Sequence, residues 1–136
     1  MTEFPITIYH NPACGTSRNT VAMVRAAGYE PTIVEYLQTG WTRSQLEHLL
    51  AAMPALPRDI LRVKGTPAAE LGLLDPAVTD DQILDAMVAH PILVNRPIVV
   101  TPRGVKLARP SEAVLDLLDR KPENFTKEDG EVVLIG

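Results

Sequence analysis

The chain has a single cysteine, Cys14, in 136 residues. No internal disulfide can form, and any redox cycle through that thiol borrows its second sulfur from another molecule. No run of about 18 apolar residues occurs, so no membrane span is expected. The opening Met1-Thr2-Glu3-Phe4-Pro5 lacks the basic and long apolar regions of a signal peptide. Together with the lone thiol, this predicts a reducing, cytoplasmic setting. A basic excess is missing too: the formal charge is −4, which argues against a general nucleic-acid or anionic-membrane surface and leaves room for a small anion pocket. His10, His48 and His90 lack ligand spacing, so neither a metal nor a tightly bound cofactor is expected. What is present, 46% hydrophobic and 22% charged residues, suits one soluble domain able to bury a core.

Ile6-Thr7-Ile8-Tyr9 alternates in period two and predicts a first strand. Asn11-Pro12 is a turn signal, and a helix follows from about Thr16 to Ala27, ending at Gly28. Thr32–Tyr36 predicts a second strand, parallel to the first because a helix connects them. A helical insertion then occupies about 38–91. Thr42-Arg43-Ser44-Gln45 and Thr79-Asp80-Asp81-Gln82 both have capping-box spacing ahead of apolar helical faces. A short helix is expected at Ile60-Leu61-Arg62, another start at Thr66-Pro67, and a stop at Pro91. Trp41, inside the insertion, is expected to pack in the core or its rim.

Strand pattern returns at Pro97–Thr101, and Pro102-Arg103-Gly104 turns it into Val105–Ala108 as a hairpin. A last helix opens at Pro110-Ser111-Glu112 with Val114, Leu115, Leu117 and Leu118 inward. Val132–Ile135 reads as a short strand or a packed extension. The order is β-α-β, helical insertion, β-β-α. It resembles a thioredoxin-like core with an insertion between strands 2 and 3, although other α/β sandwiches share it.

Cys14 falls where the first strand meets the first helix. Free backbone N–H groups and the positive end of the helix dipole favour thiolate there by roughly 0.3–1 kcal/mol at an exposed site and about 2 when partly buried. Gly15 lets the backbone approach a ligand closely, Thr16 and Ser17 add hydroxyls, and His10 can supply charge or orient a proton. A dithiol pair needs cysteine at position 17, which is Ser17; a phosphatase loop needs arginine at position 20, which is Thr20. What remains is a lone activated thiol whose anionic substrate must find positive charge elsewhere in the chain.

The run His10-Asn11-Pro12-Ala13-Cys14-Gly15-Thr16-Ser17-Arg18-Asn19-Thr20 resembles the active-site segment of the glutathione/glutaredoxin-coupled arsenate reductases. So do the blocks His90–Pro102, Arg109-Pro110-Ser111-Glu112 and Phe125-Thr126-Lys127-Glu128-Asp129-Gly130-Glu131. In order, they span nearly the whole chain. The resemblance implies Cys14 as nucleophile, His10 as an influence on its ionisation, and Arg62, Arg96 and Arg109 as oxyanion-binding and thiolate-stabilising groups. Ser17 becomes a candidate substrate donor, and Pro97 takes the place of a cis proline facing the cysteine. The implied reaction is arsenate to arsenite in arsenic detoxification, with glutathione as co-substrate and glutaredoxin as partner. Two rivals share the scaffold: a regulator that binds RNA polymerase, whose best-known members carry the Cys-X-X-Cys that Ser17 breaks, and a general glutathione-dependent thiol reductase.

Overall fold

The computed structural model describes residues 4–134; Met1–Glu3, and Ile135 of the expected tail strand, lie outside the described residues. The chain divides into two compact units, one of residues up to Glu35 and from Arg96, the other Tyr36–Asn95.

The first unit is built on β1 (Thr7–His10), which alternates a fully buried Ile8 with half-buried neighbours. Helix α1 (Gly15–Ala26) follows, begins one residue earlier than expected, and stops before Gly28, whose φ of +97° suits glycine. Strand β2 (Thr32–Glu35) runs parallel to β1, as a helical crossover requires. The later strands β3 (Ile98–Thr101) and β4 (Gly104–Leu107) form the expected hairpin, and β3 lies antiparallel to β1. The sheet order is β2-β1-β3-β4, a thioredoxin-like arrangement.

One core gathers Ile8 from β1, Met23 and Val24 from α1, Val99 from β3, and Val114, Leu117 and Leu118 from the segment after β4. That segment, Ser111–Leu117, is a 3-10 helix rather than an ordinary α-helix. Its buried residues are Ser111, Val114, Leu115 and Leu117, of which Ser111, Val114 and Leu117 fall three apart along the 3-10 turns. The tail forms a second small sheet in which β5 (Asn124–Thr126) pairs antiparallel with β6 (Val132–Leu134). Phe125 and Val133 pack against the core from it.

The second unit holds α2 (Tyr36–Thr39), α3 (Arg43–Ala52), a 3-10 turn at Pro57–Ile60, α4 (Asp80–Ala89) and a further turn at Pro91–Leu93. It contains the expected helical segment of about 38–91. Thr42 and Thr79 each close a capping box, with Gln45 and Gln82 as reciprocal partners. Arg43 joins α3 to α4 through Asp81 and Asp85. Trp41 is buried at 5% exposure, its ring 5.2 Å from that of Tyr36. The short helix expected at 60–62 sits earlier: Ile60 ends the 3-10 turn and Leu61 bridges Val94. The helix start at Thr66-Pro67 does not propagate. Leu71 N–H bonds to Pro67, then Gly72 N–H bonds to Ala69 and Leu73 N–H to Ala68 with Gly72 at φ +73°, which closes the chain after a single turn.

At the end of β3, the Thr101 hydroxyl donates to the Leu117 carbonyl at 2.8 Å and accepts the Arg103 N–H at 3.0 Å. Thr101→Val keeps the shape and leaves both backbone groups without that partner. The expected destabilisation is about 1–3 kcal/mol, read as a lower midpoint in guanidinium unfolding with an unchanged m-value.

Candidate active site

The sheet register assembles this site. Tyr9 of β1 pairs with Ile98 of β3, and Ile98 pairs with Leu107 of β4. The carboxyl end of β1, the residues just before β3 and those just after β4 therefore meet at one end of the sheet. His10 and the loop to Cys14 come from the first, Arg96 from the second, and Arg109 from the third. Arg96–Pro97 is cis, as the resemblance implies, and Arg109–Pro110 is cis as well.

The loop is shaped by Asn11-Pro12, with asparagine at the first turn position and proline at the second. Cys14 N–H bonds to the Asn11 carbonyl at 3.0 Å, and Ala13 N–H to the Asn11 side-chain oxygen at 2.9 Å. Asn11 is itself buried, so beyond the turn expected at Asn11-Pro12 its side chain is held inside the loop. The turn delivers Cys14 to the N-cap of α1 in extended conformation, φ −98° and ψ 122°, where its carbonyl accepts the Arg18 N–H at 3.0 Å. The Cys14 side chain thus faces the first-turn amides that have no partner inside the helix.

Cys14 Sγ is nearly enclosed, with 9% exposure for the residue. Burial pushes the thiol up. The Ser17 backbone N–H and then the Arg96 and Arg109 guanidiniums outweigh it, bringing the pKa down to about 7. Arg109 Nη1 lies 3.7 Å from the sulfur and donates to the Arg96 carbonyl at 2.8 Å. Arg109 therefore braces the backbone of the other arginine while addressing the sulfur.

Ser17 is fully buried, and its hydroxyl is engaged within the loop. Its oxygen accepts the Asn11 N–H at 3.1 Å and lies 2.6 Å from His10 Nδ1. Burial lowers the His10 pKa, Glu35 opposes this, and Arg18 and Arg25 reinforce it, so the ring is neutral near pH 7. His10 Nδ1 and the Ser17 hydroxyl share one hydrogen bond, its direction set by the tautomer of the ring. The serine meets Cys14 through its backbone N–H, whereas its side chain ties the loop to β1. A cavity of about 430 Å³, lined by His10, Arg18, Val21, Ala22 and Arg25, opens along the outer face of α1.

Arg62 belongs to the helical unit. It follows the Leu61–Val94 bridge, where its N–H bonds to the Leu93 carbonyl at 2.7 Å. Its guanidinium donates to the Lys64 carbonyl and, at 3.4 Å, to the side chain of Asn95. Among the described residues no group of three His, Cys, Asp or Glu side chains could hold a metal ion, and no helix is long and apolar enough to cross a membrane.

Fold and site together define a class: a thioredoxin-like α/β protein with one activated thiol at a helix N-terminus beside two guanidiniums. Comparison with known proteins narrows it. The ArsC family profile matches residues 9–117. The chain is 61% identical over 135 residues to arsenate reductase ArsI1 of Synechocystis sp., covering 98% of this chain and 94% of that one. It is 56% identical over 130 residues to the arsenate reductase of Escherichia coli K12, covering 95% and 92%. Among solved structures, the arsenate reductase from Vibrio cholerae superposes with a TM-score of 0.81 at 36% identity, covering 86% of this chain and all of that one. The chain belongs to the ArsC family.

Thiolate at a pKa near 7 has a direct readout. The rate of Cys14 alkylation by iodoacetamide is expected to rise with a midpoint near pH 7, and Arg109→Ala to move that midpoint up toward an ordinary thiol. The depressed pKa also links to folding. Stability from the thiolate is fully present above the unfolded value of 9.0 and is lost as pH falls through about 7. The stability advantage of the native chain over Cys14→Ser should therefore widen between pH 6 and pH 9 in urea unfolding.

Proposed function

We propose that this chain reduces arsenate to arsenite, with Cys14 as the attacking group. The observation that carries this reading is the Arg109 guanidinium 3.7 Å from a sulfur whose pKa is about 7. An electron-rich nucleophile and a planar fork of cationic donors face the same point, an arrangement suited to a tetrahedral oxyanion. Curated arsenate reductases sharing 55–61% identity over nearly the full chain support the substrate.

The Cys14 thiolate attacks arsenic(V), a sulfur–arsenic bond forms, and one oxygen leaves as water after protonation. Arg96 and Arg109 hold the remaining oxygens and the charge that builds on the expanded centre; Arg62 is assigned to the same oxyanion. Glutathione then adds to arsenic and displaces a second oxygen as water. A glutaredoxin thiolate attacks the glutathione sulfur, forming a mixed disulfide and leaving the electron pair of the broken sulfur–arsenic bond on arsenic, now trivalent. Water cleaves the last sulfur–arsenic bond, returns Cys14 and releases arsenite. Overall, arsenic acid and two thiols give arsenous acid, one disulfide and one water. The lone cysteine fits this division of labour, because both electrons come from outside the chain. A reducing cytoplasm would supply these thiols. Neutral His10 acts through Ser17 on the loop and helps set the ionisation of Cys14.

The test is arsenate-dependent NADPH oxidation with glutathione, glutathione reductase and glutaredoxin supplied. Cys14→Ser is expected to abolish it, since no other sulfur can take the nucleophile's place. Arg109→Ala is expected to lower kcat/KM for arsenate by about 10²–10³-fold. Turnover that needs glutathione but not arsenate would overturn the assignment in favour of general thiol reduction.

A further inference from the structure

The tail block Phe125–Glu131 contributes no group to the chemistry above, and it lies beyond the 9–117 stretch that the family profile matches. Its structure is nonetheless tied to the catalytic loop. Arg18, one turn into α1, meets Glu128 with two parallel bonds, Nε to Oε2 and Nη2 to Oε1, both at 2.9 Å. The third nitrogen, Nη1, donates to the Pro12 carbonyl at 2.8 Å. Glu128 N–H in turn bonds to the Asn19 side chain at 3.1 Å. The far side of the hairpin is held as well: Lys127 bridges Glu112 at 2.9 Å and Glu131 at 3.0 Å, and Phe125 rests on the core.

We propose that the C-terminal hairpin is part of the catalytic apparatus, with Glu128 as a positioning residue that fixes Arg18 on the Pro12 carbonyl and so sets the pose of the loop carrying Cys14. The physical case is one of constraint. A free arginine on a helix surface samples many rotamers, and a lone bond to a carbonyl would not hold it. The bidentate carboxylate fork selects one orientation of the guanidinium plane, the one in which the remaining edge meets Pro12. Pro12 lies two residues from Cys14, inside the turn that aims the sulfur at the first-turn amides. An exposed ion pair of this kind adds little to global stability, so its main effect is local geometry. Arg18 also feels the charge of Cys14, a coupling absent from the influences on Glu128. Without Glu128 the Arg18 guanidinium keeps its charge but loses its fixed place, and the loop loses its brace at Pro12.

The proposal rests on Cys14 as the nucleophile, and thiol alkylation tests it whether or not arsenate is the substrate. In the full-length chain, Glu128→Gln is expected to shift the alkylation midpoint of Cys14 upward and slow alkylation at pH 6 roughly three- to tenfold, with little change in Tm. Glu128→Asp, which keeps a carboxylate for Arg18, should restore most of the rate. In an Arg18→Gln background, Glu128→Gln should have no further effect, because the two act as one unit. An unchanged alkylation profile would overturn the proposal, with or without a loss of Tm. So would a downward shift, which would make Glu128 merely a negative charge opposing the thiolate, or full additivity with Arg18→Gln. Loss of arsenate turnover in the native chain would count against the function proposed above and leave this result standing.

Discussion

Everything at this site depends on keeping a negatively charged sulfur inside a nearly closed protein environment. Burial alone would hold Cys14 as an inert thiol, and burial is the largest influence on it. The fold opposes that penalty with fixed partial and full charges: the Ser17 amide at the start of α1, and guanidiniums from both sides of the β3–β4 hairpin. None of these groups is close to the others in the chain by accident of sequence. Arg109 is 95 residues from Cys14 and reaches it because two antiparallel registers bring the ends of β1, β3 and β4 together. The sheet is the device that converts three distant segments into one electrostatic site.

The same logic explains how the loop is made. Asn11 closes the turn with backbone and side-chain oxygens at once, while Ser17 uses its hydroxyl to bind β1 and its amide to face the sulfur. These residues contribute geometry more than reactive atoms. A polar side chain engaged in holding the backbone gives a rigid donor set, and rigid donors stabilise charge without reorganising as it forms.

How much of this was legible in the sequence differs from element to element. The capping boxes at Thr42 and Thr79 state their own hydrogen bonds, and the parallel β1–β2 pair follows from a helix between two strands. Arg96 and Arg109 were found by their place in recognisable blocks; no spacing rule links them to Cys14. The 3-10 geometry of Ser111–Leu117 had no signal of its own, because the buried set Ser111, Val114, Leu115 and Leu117 suits an α-helical face as well. The start at Thr66-Pro67 makes one turn and goes no further because Gly72 takes a conformation that a helix cannot continue. Ser17 was legible as a hydroxyl at the active turn, but its hydrogen-bond partner is set by where β1 ends. The Arg18–Glu128 pair, 110 residues apart, had no local signal at all. Long-range ion pairs leave no period in a sequence, because only the tertiary fold decides which charges meet.

The net charge of −4 sharpens the last point. Summed over the molecule, the field of this protein repels an oxyanion rather than drawing it in, so long-range steering cannot account for recognition. Attraction must come from donors within a few ångströms of the sulfur, inside the distance over which salt screens charge. Those donors then act twice. In the reaction proposed above, the same guanidiniums that lower the thiol pKa would also receive the oxygens of the incoming anion. In that reaction, binding the anion would draw part of their charge away from the sulfur at the moment it acts as nucleophile. The Ser17 amide is not a charge that an oxyanion neutralises, so it continues to favour the thiolate while the guanidiniums are shared with the anion.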